Sequence, residues 1–196
     1  MWEFLHCTMF GLAPVQVSVT LLEMSEKSVM SHSTEASAGI DPKAFWGAIG
    51  CRAVGAAIVT VAGPEGPSGF LALSATHLTA SPPTVTVSLD AKTSAGPDLI
   101  SSGAFAINYL ATEARPVLDR FVGRDAPSGA ARFEGVEIMT LATGAPVLPD
   151  IVGVLDCAVE EIIERFGVMI VIGRIMAFEN HRDRRPLVYY QGQVMA

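Results

Sequence analysis

From Ala53 to Tyr190 the chain alternates β-branched or aromatic residues with small and polar ones in short runs, the period of strands rather than helices. Ala53–Ala62 is a β-branched run closed by the turn cluster Gly63-Pro64-Glu65-Gly66-Pro67, which predicts a hairpin. Thr84–Leu89 and Phe105–Leu110 repeat the alternation, Val154–Ile163 and Val168–Phe178 predict two longer strands, and Leu187–Tyr190 a short last one. Helical spacing is confined to Phe45–Ile49 and to Glu113–Phe121, where Val117, Leu118 and Phe121 share a face opposite the charges. Many strands, few helices and no β-α-β rhythm predict a mainly β fold, a closed Greek-key barrel rather than a dinucleotide-binding α/β sheet.

Residues 1–40 read as a poorly ordered N-terminal extension, and residues 41–196 as one folded domain. The stretch Met1–Met24 is broken by Gly11 and Pro14, starts without basic residues and falls short of the ~20 apolar residues of a membrane span. Neither a signal peptide nor an anchor is expected. Half of the residues are apolar and 17% charged, which points to apolar surface buried against a second subunit, hence a homodimer. A net charge of -7 argues against a nucleic-acid partner, and the short run Arg182, Arg184, Arg185 reads as a solvated turn. Three cysteines without paired spacing fit a reducing cytoplasm, and four scattered histidines give no metal site.

No nucleophile motif, phosphate-binding loop or acid-base pair stands out, so any chemistry is expected to come from a borrowed cofactor that the protein orients. The most informative segment is Ser68–Pro83, small and hydroxylated where a buried strand would be bulky. Short side chains let a flat ring approach backbone N–H groups; a tight turn connection accounts for the same composition. Downstream, Ser88 to Ser94 ends a strand with hydroxyls and Lys92, which suits a phosphate but equally a solvated loop.

These pieces resemble the flavin reductase-like proteins, which include the small reductase components of two-component flavin monooxygenases. The likeness runs from about Phe45 to Gln193. It is carried by Phe45-x-x-Ala48-Ile49-Gly50 with Gly55–Thr60; by Gly69–Pro83, similar to G-x-T-A-x-S-x-x-S-V-S-x-x-P-P with Ala72, Pro82 and Pro83 matching; and by Val85–Leu89, Ser102–Leu110, Asp156-Cys157, Ile172-Gly173-Arg174-Ile175 and Pro186–Gly192 in family order.

The resemblance implies a homodimeric split barrel of the FMN-binding type with FMN or FAD at the subunit interface and NADH or NADPH as cosubstrate. It places Ala72, Leu73, Ser74 and Ala75 along the isoalloxazine and Ser88, Lys92 and Ser94 near the ribityl phosphate, with no catalytic side chain and no metal. Phe105, Asn108 and Cys157 read as core residues. The implied acceptor is free flavin for a partner monooxygenase, or a Co(II) corrinoid such as cob(II)yrinic acid a,c-diamide; a non-catalytic flavin- or haem-binding protein is the rival. Two departures stand out. Relatives carry G-D-H where this chain has Phe166-Gly167-Val168, and polar residues where it has Leu71 and Leu73.

Overall fold

The computed structural model describes residues 39–123 and 125–195, so the expectation for the N-terminal extension lies, but for Gly39 and Ile40, outside the described residues. Helix α1 spans Pro42–Ile49. It begins earlier than its apolar spacing suggested because Asp41 caps it, accepting from the Ala44 N–H at 2.9 Å, and Pro42 supplies a preset first turn. The run Ala53–Ala62 is two strands, β1 (Val54–Gly55) and β2 (Ala57–Gly63). Ala56 divides them, its N–H donating to the Leu187 carbonyl and its carbonyl accepting from Leu110. The expected hairpin forms, with Pro64-Glu65 at its tip and β3 (Gly66–Ala72) returning.

One expectation is corrected here. Ser68–Pro83 is not a turn connection: it holds most of β3 and all of β4 (Thr76–Ala80), separated by the linker Leu73–Ala75. Strand β4 supplies no buried core side chain because it is an edge strand, exposed throughout and paired only with β5 (Pro83–Asp90).

Helix α2 (Gly96–Ser102) gave no periodic signal because it buries only Gly96 and Leu99. Strand β6 (Ala104–Leu110) follows. The helix expected over Glu113–Phe121 is shorter: a single tight turn at Thr112–Ala114 and then α3 (Arg115–Leu118), closed where the Phe121 N–H donates to Leu118 at 2.8 Å and turns the chain inward. The short β7 (Met139–Thr140) and β8 (Pro146–Val147) precede the long pair β9 (Ile151–Arg165) and β10 (Val168–Asn180), and β11 (Val188–Tyr190) and β12 (Gln193–Met195) end the chain.

Seven strands form one antiparallel sheet in the order β3-β2-β6-β9-β10-β5-β4. Its opposite edges, β3 and β4, are joined by three residues. Laid flat, six gaps of about 4.8 Å would part those edges by about 29 Å; four Cα steps reach about 14 Å at most. The sheet must therefore curl until its ends meet. Among the described residues no ladder joins β3 to β4 or β5, so the barrel is left open there rather than closed.

Inside the curl, Val59, Phe70, Val87, Leu89, Phe105, Cys157 and Val171 pack as one core. On the outer face, Ile58, Leu110, Leu118, Phe121, Phe133 and Leu148 make a second. Phe105, Asn108 and Cys157 are fully buried, as expected of core residues. Asn108 spends its whole amide on the fold: it donates to the Ile58 carbonyl and Thr60 hydroxyl and accepts from the Leu148 N–H, all within 3.1 Å. The carboxylate of Asp156, equally buried, accepts from the N–H and hydroxyl of Thr143.

Candidate functional site

Because β3 and β5 approach without pairing, the seam between them is a groove. Ser74 bridges it: its hydroxyl donates to the Ser88 carbonyl at 2.9 Å and accepts from the Ser88 N–H at 3.0 Å, taking the place of a ladder bond. The groove encloses about 530 Å³, within the range of small-molecule sites. Phe70, Leu71, Leu73, Leu89 and Val168 form apolar walls, with Trp46, Ile49 and Arg52 also lining it, Asp90 at the end of β5 and Thr93 in the loop that follows.

Three of the residues expected at a flavin site, Leu73, Ser74 and Ser88, come together here. The side chain of Ala72 points into the core, leaving only its backbone to the linker. Ala75, the last residue of the linker, lies outside the groove and lines an adjacent hollow of about 660 Å³ with His77, Tyr109, Leu155 and Ile175. Lys92 and Ser94 are exposed and do not line the groove; Thr93, between them, does. That loop is shaped by Asp90, whose carboxylate accepts from the Lys92 N–H and whose carbonyl accepts from Thr93. It is also tied to the β9–β10 turn, where the Ala91 N–H donates to Gly167 at 2.9 Å.

Sequence reasoning passed over Trp46, Arg52 and Val168. Trp46 had a signal, a large aromatic on a helix that buries none of its residues. Val168 opens β10 beside the groove, within the Phe166-Gly167-Val168 departure already noted.

The donor set fits a planar heterocycle. Among the described residues, the N–H groups of Leu73, Ser74 and Ala75 make no hydrogen bond, in a linker whose neighbours are short or apolar. A ring edge carrying carbonyl and imine acceptors answers that need, and the apolar walls suit its faces. Two groups of the inner core are held in their uncharged forms. Burial pushes the Tyr109 phenol up, with Cys157 adding, and burial with the neighbouring Asp156 charge pushes the Cys157 thiol up to about 12. Neither exchanges protons near pH 7. No cluster of three metal-ligating side chains occurs among the described residues, and no helix there is long and apolar enough to cross a membrane.

A family model described as the flavin reductase like domain matches residues 49–196. The chain belongs to the flavin reductase-like family. The match covers nearly the stretch whose motifs suggested it, and all seven strands of the curled sheet lie within it. The reductase subunit HsaB of a flavin-dependent monooxygenase from Rhodococcus jostii is 29% identical over 170 residues, 87% of this chain and 84% of that protein. An FMN reductase (NADH) of Rhizobium rhizogenes is 36% identical over 133 residues, 68% of this chain and 76% of that one. Among solved structures, the NADH:FAD oxidoreductase of Streptomyces globisporus C-1027 superposes with a TM-score of 0.72 at 25% identity, over 80% of this chain and 95% of its own. The family's mainly antiparallel β architecture with few short helices is the one described above.

Proposed function

We propose that this family member is an NADH-dependent flavin reductase that binds FMN or FAD in the groove between β3 and β5 and hands reduced flavin to a partner monooxygenase. The observation that carries the reading is the seam itself, an apolar groove bridged by Ser74 and Ser88 and bordered by Leu73 and Ser74, whose N–H groups make no hydrogen bond among the described residues. The relatives' activities, NADH-dependent reduction of FMN or FAD and service to an oxygenase, agree with it.

The flavin, when bound, accepts hydride and passes electrons onward. The protein's part is placement. The backbone of Ala72–Ala75 holds the ring edge, Leu71, Leu73 and Val168 exclude water from its faces, and Ser88 sets the distance between linker and strand. Lys92 and Ser94, exposed in the following loop, supply charge and hydroxyl to the ribityl phosphate, with Thr93 facing the groove. The apolar replacements at Leu71 and Leu73 leave polar recognition to the backbone, which makes the site tolerant of flavin type.

The split barrel is completed as a homodimer. The far half of β10 runs past the end of β5 and leaves Met176 and Phe178 exposed, Phe178 to 64%. A corrinoid acceptor and a non-catalytic role draw no support from the relatives described above, so free flavin is the acceptor that stands.

Anaerobic addition of NADH to the flavin-loaded protein is expected to bleach the flavin's visible absorbance, and subsequent admission of air, alone or with an oxygenase component, to restore it. Colour that persists in the presence of both NADH and NADPH would overturn the reading.

A further inference from the structure

At the α1 end of the groove a second, smaller hollow of about 200 Å³ opens against it. The two share Trp46, Ile49, Arg52 and Leu73, so they form one continuous depression. The walls of the smaller one come from opposite ends of the described chain: Trp46 and Gly50 from α1 and its cap, Tyr189, Gln191 and Gly192 from the C-terminal hairpin. The Gln191 N–H donates to the Gly50 carbonyl at 3.2 Å and holds those walls together.

Two side chains give this hollow its chemistry. Trp46 is 65% exposed, and among the described residues its one aromatic neighbour is Phe45, at 5.2 Å with the two rings near perpendicular, which leaves much of the indole uncovered by them. Arg52 is the only cation lining either hollow among the described residues. Its Nη2 reaches the Leu73 carbonyl at a long 3.4 Å, which aims the guanidinium at the junction and leaves most of its five donors over. An exposed indole beside an arginine fork, on a chain of net charge -7, is the pairing that recognises a purine joined to phosphate.

We infer that the smaller hollow seats the adenosine diphosphate end of the nicotinamide reductant, with Trp46 stacked on the purine and Arg52 holding the pyrophosphate. The nicotinamide then enters the adjoining groove. The inference rests on the reading that this groove holds the flavin. It gives nucleotide recognition to α1 and the C-terminal hairpin, away from the β9–β10 turn where relatives carry histidine.

The test uses the full chain loaded with FMN, which has no adenine of its own, and ADP-ribose as the probe, followed by calorimetry. Arg52→Ala and Trp46→Ala, both at exposed positions, should each weaken ADP-ribose binding roughly tenfold, the order expected for one charge-assisted contact or one stacked base. Arg52→Lys should recover part of the loss. In steady state the KM for NADH should rise by the same factor while kcat moves less than twofold, and because both side chains also border the flavin groove, any loss of FMN affinity should be smaller than the loss of ADP-ribose affinity. ADP-ribose binding that ignores both residues overturns the assignment. So does a loss confined to FMN affinity, which would make both side chains part of the flavin's own site. A wild type that binds ADP-ribose through both residues yet never reduces FMN would uphold the hollow's assignment and defeat the proposed activity.

Discussion

Ser74 shows how much one hydroxyl does at the seam. It stands where a curled sheet has run out of ladder, and both its donor and its acceptor functions go to Ser88. Ser74→Ala leaves the Ser88 N–H and carbonyl without that partner, at about 1–2 kcal/mol, and frees the linker. The expected outcome is a flavin Kd roughly five- to tenfold weaker by fluorescence titration, with a Tm lower by a few degrees. Cys157 is the opposite case, a thiol with no function in the site. With its pKa pushed up from 9.0 to about 12, it stays protonated and hidden, whereas Cys51 is exposed. Mild alkylation of the native protein at pH 8 should therefore mark Cys51 and spare Cys157 until denaturant is added, as peptide mass mapping would show. The same shift fixes a pH dependence. Because the unfolded thiol ionises near 9 and the folded one near 12, stability is full below about pH 9 and falls as pH rises between them, by about 1.4 kcal/mol per unit for this group. Tyr109, raised likewise, adds in the same direction. Urea midpoints measured at pH 8 and pH 10 would show it.

Among the elements, β9 and β10 form the longest hairpin, and two positions in it break the rules of a plain strand pair. Gly173 sits at a register shift, and a Cβ there would lie 2.5 Å from the Phe105 ring and 3.2 Å from Cys157. Its place in the Ile172-Gly173-Arg174-Ile175 run thus has a packing cause: the ring of β6 lies over β10 where a side chain would be. Gly173→Ala should destabilise by about 1–3 kcal/mol, read as a lower urea midpoint, through overpacking. At the tip, Phe166 has φ of 54° and is wholly exposed, followed by Gly167 at 75°. Asn or Gly is what such a turn asks for, so Phe166→Asn should raise stability by about 1 kcal/mol. The elements also show why some expectations missed. β4 lacks any buried position and α2 is anchored by Gly96 and Leu99 alone, so neither could print a hydrophobic period on the sequence. The strands of the inner core alternate or run apolar because both of their faces meet packed side chains, and they were legible to within a few residues.

As a whole molecule, the fold leaves apolar surface that one curled sheet cannot cover. Met176 and Phe178 lie beyond the reach of β5, with Leu78 exposed on the edge strand β4. Sedimentation of the purified protein should give twice the chain mass. Phe178→Lys should shift it toward monomer and weaken flavin binding together, since the family resemblance implies a flavin at the subunit contact; a monomeric wild type that binds flavin fully would sever the two.

The alternation of residues determined by itself that this is a mainly antiparallel β protein, because side-chain period follows backbone geometry and is written locally. The ordered motifs named the family, and the short, hydroxylated run around Ser74 marked half of the groove. What only the tertiary structure decided is everything that depends on closure. That Ser74 meets Ser88, that Trp46, Arg52 and Val168 border the same depression, and that Lys92 and Ser94 turn outward all follow from a seven-stranded sheet bending until three residues can join its edges. Such proximity comes from the sum of the twists of all its strands, and no single stretch of sequence records a sum.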